Sequence, residues 1–192
     1  MAEFRHETER LLLRDWRGEA DWAEFFRHTN TEAVMRWLGG VLDEHGMAAT
    51  RARVEGCAAH HGHCFWLLER KQDGGPLAGE VLGFCGLKRA NAPGSTVTGM
   101  MEVGWRLRED AWGQGYAKEA ARAAIDLAFT RFGAEELVAL TIAENEGSWG
   151  LMNRLGFSRR ADLDYPDPRY APPWRDTVVY ALARSDWQRA DG

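Results

Sequence analysis

The chain has 192 residues, 45% of them hydrophobic and 28% charged, with a net charge of −5 at neutral pH. This suffices for one filled core and requires no second domain. The acidic balance, without a lysine- or arginine-rich run, argues against nucleic acid or an anionic membrane as the main partner and suits a cationic substrate. No apolar run approaches the roughly 18 residues that span a bilayer, and Met1-Ala2-Glu3-Phe4 lacks a basic segment followed by an apolar one, so the expectation is a single cytoplasmic α/β domain over residues 1–192.

Thr8-Glu9-Arg10-Leu11-Leu12-Leu13-Arg14 reads as a strand with a mixed face. Gly18 introduces an amphipathic helix over residues 19–28, where Trp22, Phe25 and Phe26 recur at three- and four-residue spacing. A second helix is predicted over residues 48–59, with a thin apolar face of Val54, Cys57 and Ala58. Phe65-Trp66-Leu67-Leu68-Glu69 and Val81-Leu82-Gly83-Phe84-Cys85-Gly86-Leu87 form a predicted hairpin around the turn formers of residues 71–76. After the loop Asn91-Ala92-Pro93-Gly94-Ser95, a strand resumes at Met101-Glu102-Val103-Gly104-Trp105-Arg106-Leu107, whose Gly104 marks a bulge or a place where a ligand backbone comes close.

Residues 116–132 place Ala117, Ala120, Ala121, Ala124 and Ala128 mostly on one stripe, so this helix can lie close to a sheet, and Gly133 ends it. Leu137-Val138-Ala139-Leu140-Thr141-Ile142 is a continuous apolar run, as expected of a strand buried on both faces and parallel to its predecessor across the helix. A short helix follows over residues 147–155, with Gly156 as its stop and Phe157 re-entering the core. A proline-broken loop over residues 165–174 precedes a last strand, Thr177-Val178-Val179-Tyr180-Ala181-Leu182.

The chemistry concentrates at Trp112-Gly113-Gln114-Gly115-Tyr116-Ala117, where a strand turns into the alanine-rich helix. Two glycines a residue apart at a helix start leave backbone N–H groups uncovered, so a phosphate can approach the positive end of the helix. A diphosphate-bearing ligand is one reading, and an ordinary strand-to-helix connection is the other. The turn lacks the Gly-Lys-Ser/Thr ending that grips a triphosphate and its magnesium. Cys57, Cys64 and Cys85 are an odd number, and two lie in or beside apolar segments, which argues against a disulfide framework. Cys57, His60, His61, His63 and Cys64 include a helical face on which two or three zinc ligands could converge.

Glu102-Val103-Gly104-Trp105, the 112–117 turn with Lys118-Glu119-Ala120, and Asn145 through Ser148 to Leu155-Gly156-Phe157 together resemble the GNAT acetyltransferases, in particular the RimJ/RimL-like branch. The opening strand, Gly83-Phe84-Cys85-Gly86-Leu87 and Val179-Tyr180-Ala181-Leu182 also look like that branch, so the resemblance covers nearly the whole chain. The general phosphate turn of the family is Gln/Arg-x-x-Gly-x-Gly/Ala. Gly115 and Ala117 fit it, and Trp112 departs from it.

The resemblance implies an acyl-CoA N-acyltransferase fold: a mixed, mostly antiparallel sheet with a splayed parallel pair, flanked by helices. It implies acetyl-CoA as cosubstrate, with the diphosphate on the amides of Gly113, Gln114, Gly115, Tyr116, Ala117 and Lys118. The pantetheine arm would run along Trp105, Arg106 and Leu107 as an added strand, with Asn145 bonding its amide and the thioester near Glu102 and Gly104. Glu102 is the candidate base, or else a carboxylate that only attracts a cationic acceptor. The tyrosine that donates a proton in many relatives is replaced by Met152, which leaves Ser148 as the candidate donor, or as a helix cap. Trp37, Tyr165 and Trp174 occupy segments that line the acceptor side in similar enzymes, and the metal cluster lies away from the expected thioester, so no metal is expected.

The reaction implied is direct acetyl transfer to a primary amine, either a protein N-terminus or a small molecule, through a ternary complex in a monomer or homodimer. Cys85 has no adjacent histidine to activate it for a covalent route. The competing reading is a GNAT-fold module with degraded catalysis that senses an acyl-CoA or an amine.

Overall fold

A computed structural model describes residues 3–190. The strands are β1 (Arg5–Glu7), β2 (Leu11–Arg14), β3 (Phe65–Arg70), β4 (Val81–Arg89), β5 (Met101–Leu107), β6 (Glu136–Ile142), β7 (Ser158–Arg159), β8 (Tyr165–Pro166) and β9 (Asp176–Ala183). The helices are α1 (Glu19–Thr29), α2 (Glu32–Met35), α3 (Glu44–His61), α4 (Tyr116–Thr130), α5 (Glu146–Arg154) and α6 (Arg184–Ala190). In hydrogen-bonding order the sheet runs β1-β2-β3-β4-β5-β6-β9-β7, with β8 also paired to β9. β5 and β6 are parallel, whereas β1/β2, β2/β3, β3/β4, β6/β9, β7/β9 and β8/β9 are antiparallel. The mixed sheet with one parallel pair is the architecture implied by the resemblance.

The chain groups into two compact units, the first comprising the residues up to Arg36, Gly40–Gly86 and Trp105–Ala123. Its core is aromatic. Trp22 and Phe25 from the buried face of α1 meet Val54 of α3 and Phe65, Leu67 and Phe84 of β3 and β4. Trp16 stacks on Trp22 at 3.6 Å, and Phe65 stacks on Phe84 at 4.5 Å. The buried Arg14 guanidinium forks to Asp21 and to Glu69, which satisfies a charge that would otherwise oppose burial. Asp43 caps α3 by accepting from the Gly46 amide at 2.8 Å, so the helix begins at Glu44, ahead of the predicted residue 48.

The second unit comprises Trp37–Gly39, Leu87–Gly104 and the chain from Ala124 onward. Ala90, Ala92, Val97, Val138, Tyr165, Val179 and Ala181 form its core. β6 pairs with β9 along its whole length, from Glu136–Ala183 to Ile142–Thr177. The parallel pairing of β5 with β6 covers Met101–Leu137 and Glu102–Val138, the first two residues of β5.

The predicted opening strand begins only at Leu11: the Thr8 amide donates to the Leu11 carbonyl at 3.0 Å, so residues 8–10 are the turn of the β1–β2 hairpin. α4 ends at Thr130 rather than at residue 132. A close approach of protein backbone falls at Gly83, where φ is +145° and an added Cβ would stand 2.0 Å from the Arg106 carbonyl oxygen.

Candidate active site

In the first unit, β5 ends at Leu107 and a turn of 3-10 helix, Glu109–Ala111, leads to the glycine pair. Gly113 and Gly115 both have positive φ, +71° and +83°, a conformation that glycine enters without steric cost. A Cβ at Gly113 would meet nothing within 4 Å, so this side of the turn is open. Among the described residues, backbone bonding gives the amides of residues 113–118 no carbonyl acceptor, and helical bonding begins with Glu119 N–H to Gly115 O at 3.0 Å. Successive unmatched amides at the positive end of α4 make a cradle that fits a diphosphate in charge and donor type.

The side chains of this stretch support the cradle rather than fill it. Trp112 is half exposed, and its indole N–H donates to the Leu107 carbonyl at 3.0 Å, closing off the strand end. Gln114 donates to the Asp110 carbonyl at 2.7 Å, and Lys118 is exposed. Tyr116 is buried, with its hydroxyl accepting from Arg70 Nε at 3.1 Å. Trp105 is half buried, Leu107 is buried, and the Arg106 guanidinium lies over the Phe25 and Phe84 rings.

In the second unit, Glu102 is buried. The loop between β4 and β5 closes through Ala90 N–H to Met100 O at 3.0 Å, which sets Lys88 across from Glu102. Lys88 Nζ lies 2.5 Å from Glu102 Oε2, at an angle that makes an ion pair rather than a directed hydrogen bond. Tyr165 belongs to the same neighbourhood. Burial raises its pKa above that of an ordinary phenol; hydrogen bonding to Ser95 and Thr177 opposes this, and the charges of Glu102 and Asp167 add to it. The phenol is therefore held in its neutral form. Asp167 is buried too. Burial alone would raise its carboxyl, but hydrogen bonds from the Arg169 side chain and backbone hold it below the ordinary range. Neither Lys88 nor Asp167 stands out in the sequence; the long β4–β5 loop conceals which lysine faces which acid.

Asn145 caps α5: its Oδ1 accepts from the Ser148 amide at 3.3 Å. The capping alternative considered for Ser148 thus belongs to Asn145. Ser148 is the third residue of the helix and half buried, while Met152 is buried one turn further on. This bond engages Oδ1, the acceptor of the Asn145 side chain, and not its amide N–H donors. Trp37 and Trp174 are both half buried in this unit.

Cys85 is fully buried, and burial pushes its thiol up to about 12, which leaves essentially no thiolate near neutral pH. In the histidine-rich stretch, Gly62 ends α3 in the left-handed region, the Cys57 thiol faces the His63 carbonyl and His63 Nδ1 lies 3.0 Å from the His61 carbonyl. Among the described residues, no group of three or more His, Cys, Asp or Glu side chains converges as a metal site would require. Among the same residues, no helix is long and apolar enough to cross a membrane.

Residues 10–158 match the acetyltransferase (GNAT) domain family. The uncharacterized N-acetyltransferase YnaD of Bacillus subtilis strain 168 is 25% identical over 181 residues, covering 94% of this chain and 97% of its own. The FsC-acetyl coenzyme A-N(2)-transacetylase of Aspergillus fumigatus is 33% identical over 101 residues, covering 50% of this chain and 42% of its own. Among solved structures, the acetyltransferase of Agrobacterium tumefaciens C58 superposes with a TM-score of 0.75 at 23% identity, covering 96% of both chains. The chain belongs to the GNAT acetyltransferase family, and its enzyme class is acyl transfer to nitrogen.

Proposed function

We propose that the protein transfers the acetyl group of acetyl-CoA directly to a primary amine in a ternary complex, and that it belongs to the RimJ/RimL-like branch. The observation that carries this reading is the run of unmatched amides at residues 113–118, which suits the diphosphate of acetyl-CoA. The edge of β5 at Trp105, Arg106 and Leu107 would accept the pantetheine arm as an added strand. The Asn145 side chain has N–H groups to offer the same arm, and Ser148 would protonate the departing thiolate.

Glu102 serves as base or as electrostatic anchor for the amine, with Trp37, Tyr165 and Trp174 on the acceptor side. The Lys88 ammonium beside Glu102 favours an amine that arrives neutral, because a like charge nearby disfavours its protonation. A protein α-amino group, with a pKa near 8, or a small amine of similar basicity meets that condition better than a lysine-like amine near 10.4. The Aspergillus relative is named for acetyl-CoA and an N(2) position, which agrees with both donor and bond. We read the whole chain as one functional domain working in the cytoplasm, where thiols such as its three free cysteines stay reduced.

The test is to incubate the full chain with acetyl-CoA and a panel of peptide N-termini and small amines, following free thiol and product mass. Equimolar CoA and N-acetylated product are expected for at least one acceptor. Thermal stabilisation by CoA with no thiol released across the panel would replace the enzyme by the sensing module.

A further inference from the structure

The strand motif Thr8-Glu9-Arg10-Leu11 contributes nothing to the chemistry above, yet the structure carries it to the back of the glycine turn. Glu119, in the first turn of α4, accepts from Thr8 Oγ1 at 2.6 Å, from the Arg10 amide at 2.7 Å and from Arg10 Nε at 2.7 Å. Burial would raise the Glu119 carboxyl, but these hydrogen bonds together with the Arg10 charge hold it below its ordinary value. The guanidinium is thereby fixed at one end, and its other arm, Nη1, donates to the Gln114 carbonyl at 3.0 Å.

That last bond decides the direction of an amide. In a trans peptide the carbonyl and the following N–H point in opposite directions. Turning the Gln114 carbonyl toward Arg10 therefore turns the Gly115 N–H away from Arg10. The space behind is filled. A Cβ at Gly115 would stand 3.3 Å from Arg10 Nη2, and the guanidinium lies 4.6 Å from the Tyr116 ring centroid. Arg70 steadies the opposite side by donating to the Arg10 carbonyl at 3.0 Å and to the Tyr116 hydroxyl.

We infer that Arg10, held by Glu119 and Thr8, is the positioning residue of the diphosphate cradle and sets donor affinity without touching the donor. This rests on reading the 113–118 turn as the diphosphate anchor. A planar fork is needed because one group must hold a carboxylate and a carbonyl at once, which a lysine ammonium cannot do in the same geometry.

Titration calorimetry of the wild type, Arg10→Met and Arg10→Lys would measure Kd for CoA and for S-acetylpantetheine, which lacks the diphosphate. Wild type is expected to prefer CoA, and Arg10→Met to lose about tenfold of that preference through weaker CoA binding. Equal weakening of both ligands would make Arg10 a general scaffold residue and overturn the inference, as would no weakening of either. If Arg10→Met shows no cooperative melt, Arg10→Lys decides: a loss of CoA preference of threefold or more supports the role, and wild-type preference overturns it. A wild type that binds CoA no better than S-acetylpantetheine would instead remove the anchor reading itself.

Discussion

The carboxylate of Glu102 lies against Lys88, and this pairing changes what each candidate group can do. An acid facing an ammonium is a weaker lure for a cationic acceptor, so of the two roles proposed for Glu102 the pairing favours accepting a proton from an amine already close to neutral. We expect Glu102→Gln to lower kcat/KM about tenfold or more below about pH 8 and to matter less above it. A pH profile parallel to wild type would reduce Glu102 to a binding residue. For Ser148, the cap at Asn145 removes the competing explanation of the hydroxyl. Ser148→Ala is expected to lower kcat about 100-fold at saturating acetyl-CoA, and full turnover would end its role as proton donor. Ser148, Asn145 and Glu102 came forward as candidates through the motifs that carry the family resemblance. Lys88 and Asp167 were not, because a surface-type residue becomes a buried partner only once the strands are in register.

Among the elements, the strands and long helices follow the apolar periods of the sequence closely, because each buries a continuous stripe. α2 and the short β7 and β8 escape that reading. They are too short to show a period, and Thr31 starts α2 by accepting from the Val34 amide, a local bond that leaves little mark on hydrophobicity. Gly83 illustrates a different limit: a glycine inside an apolar strand run does not announce a close approach, and only the backbone shows that Gly83 meets β5. Gly83→Ala combines a forbidden φ with a collision against backbone and is expected to destabilise the fold by about 3 kcal/mol or more. Urea denaturation checks it, and a midpoint near wild type would mean that the strand shifts to make room.

At the scale of the whole molecule, several carboxylates owe their charge to arginines. Burial opposes ionisation of Asp21, Glu119, Asp164 and Asp167, but hydrogen bonds from Arg14, Thr8 and Arg10, Arg159 and Arg169 respectively hold all four below their ordinary values. Below about pH 4 the unfolded chain then binds more protons than the folded one, so stability rises with pH there. This stabilisation is present above the ordinary carboxylate range and is lost as pH falls through the folded-state values. Urea midpoints at constant ionic strength should hold near pH 5 and drop steadily toward pH 3; a flat midpoint across that interval would show the pairs to be energetically silent.

The order in which the chain is made gives the cradle's frame one more property. Thr8 and Arg10 leave the ribosome 111 and 109 residues ahead of Glu119. The side chains that aim the Gly115 amide must therefore wait, solvated, for most of synthesis until the helix that locks them emerges. The anchor proposed above, made from two distant stretches, cannot form until both have been synthesised. Closing it is a long-range step, of the kind that slows folding, and any chain ending before α4 holds Thr8 and Arg10 but not the Glu119 that locks them.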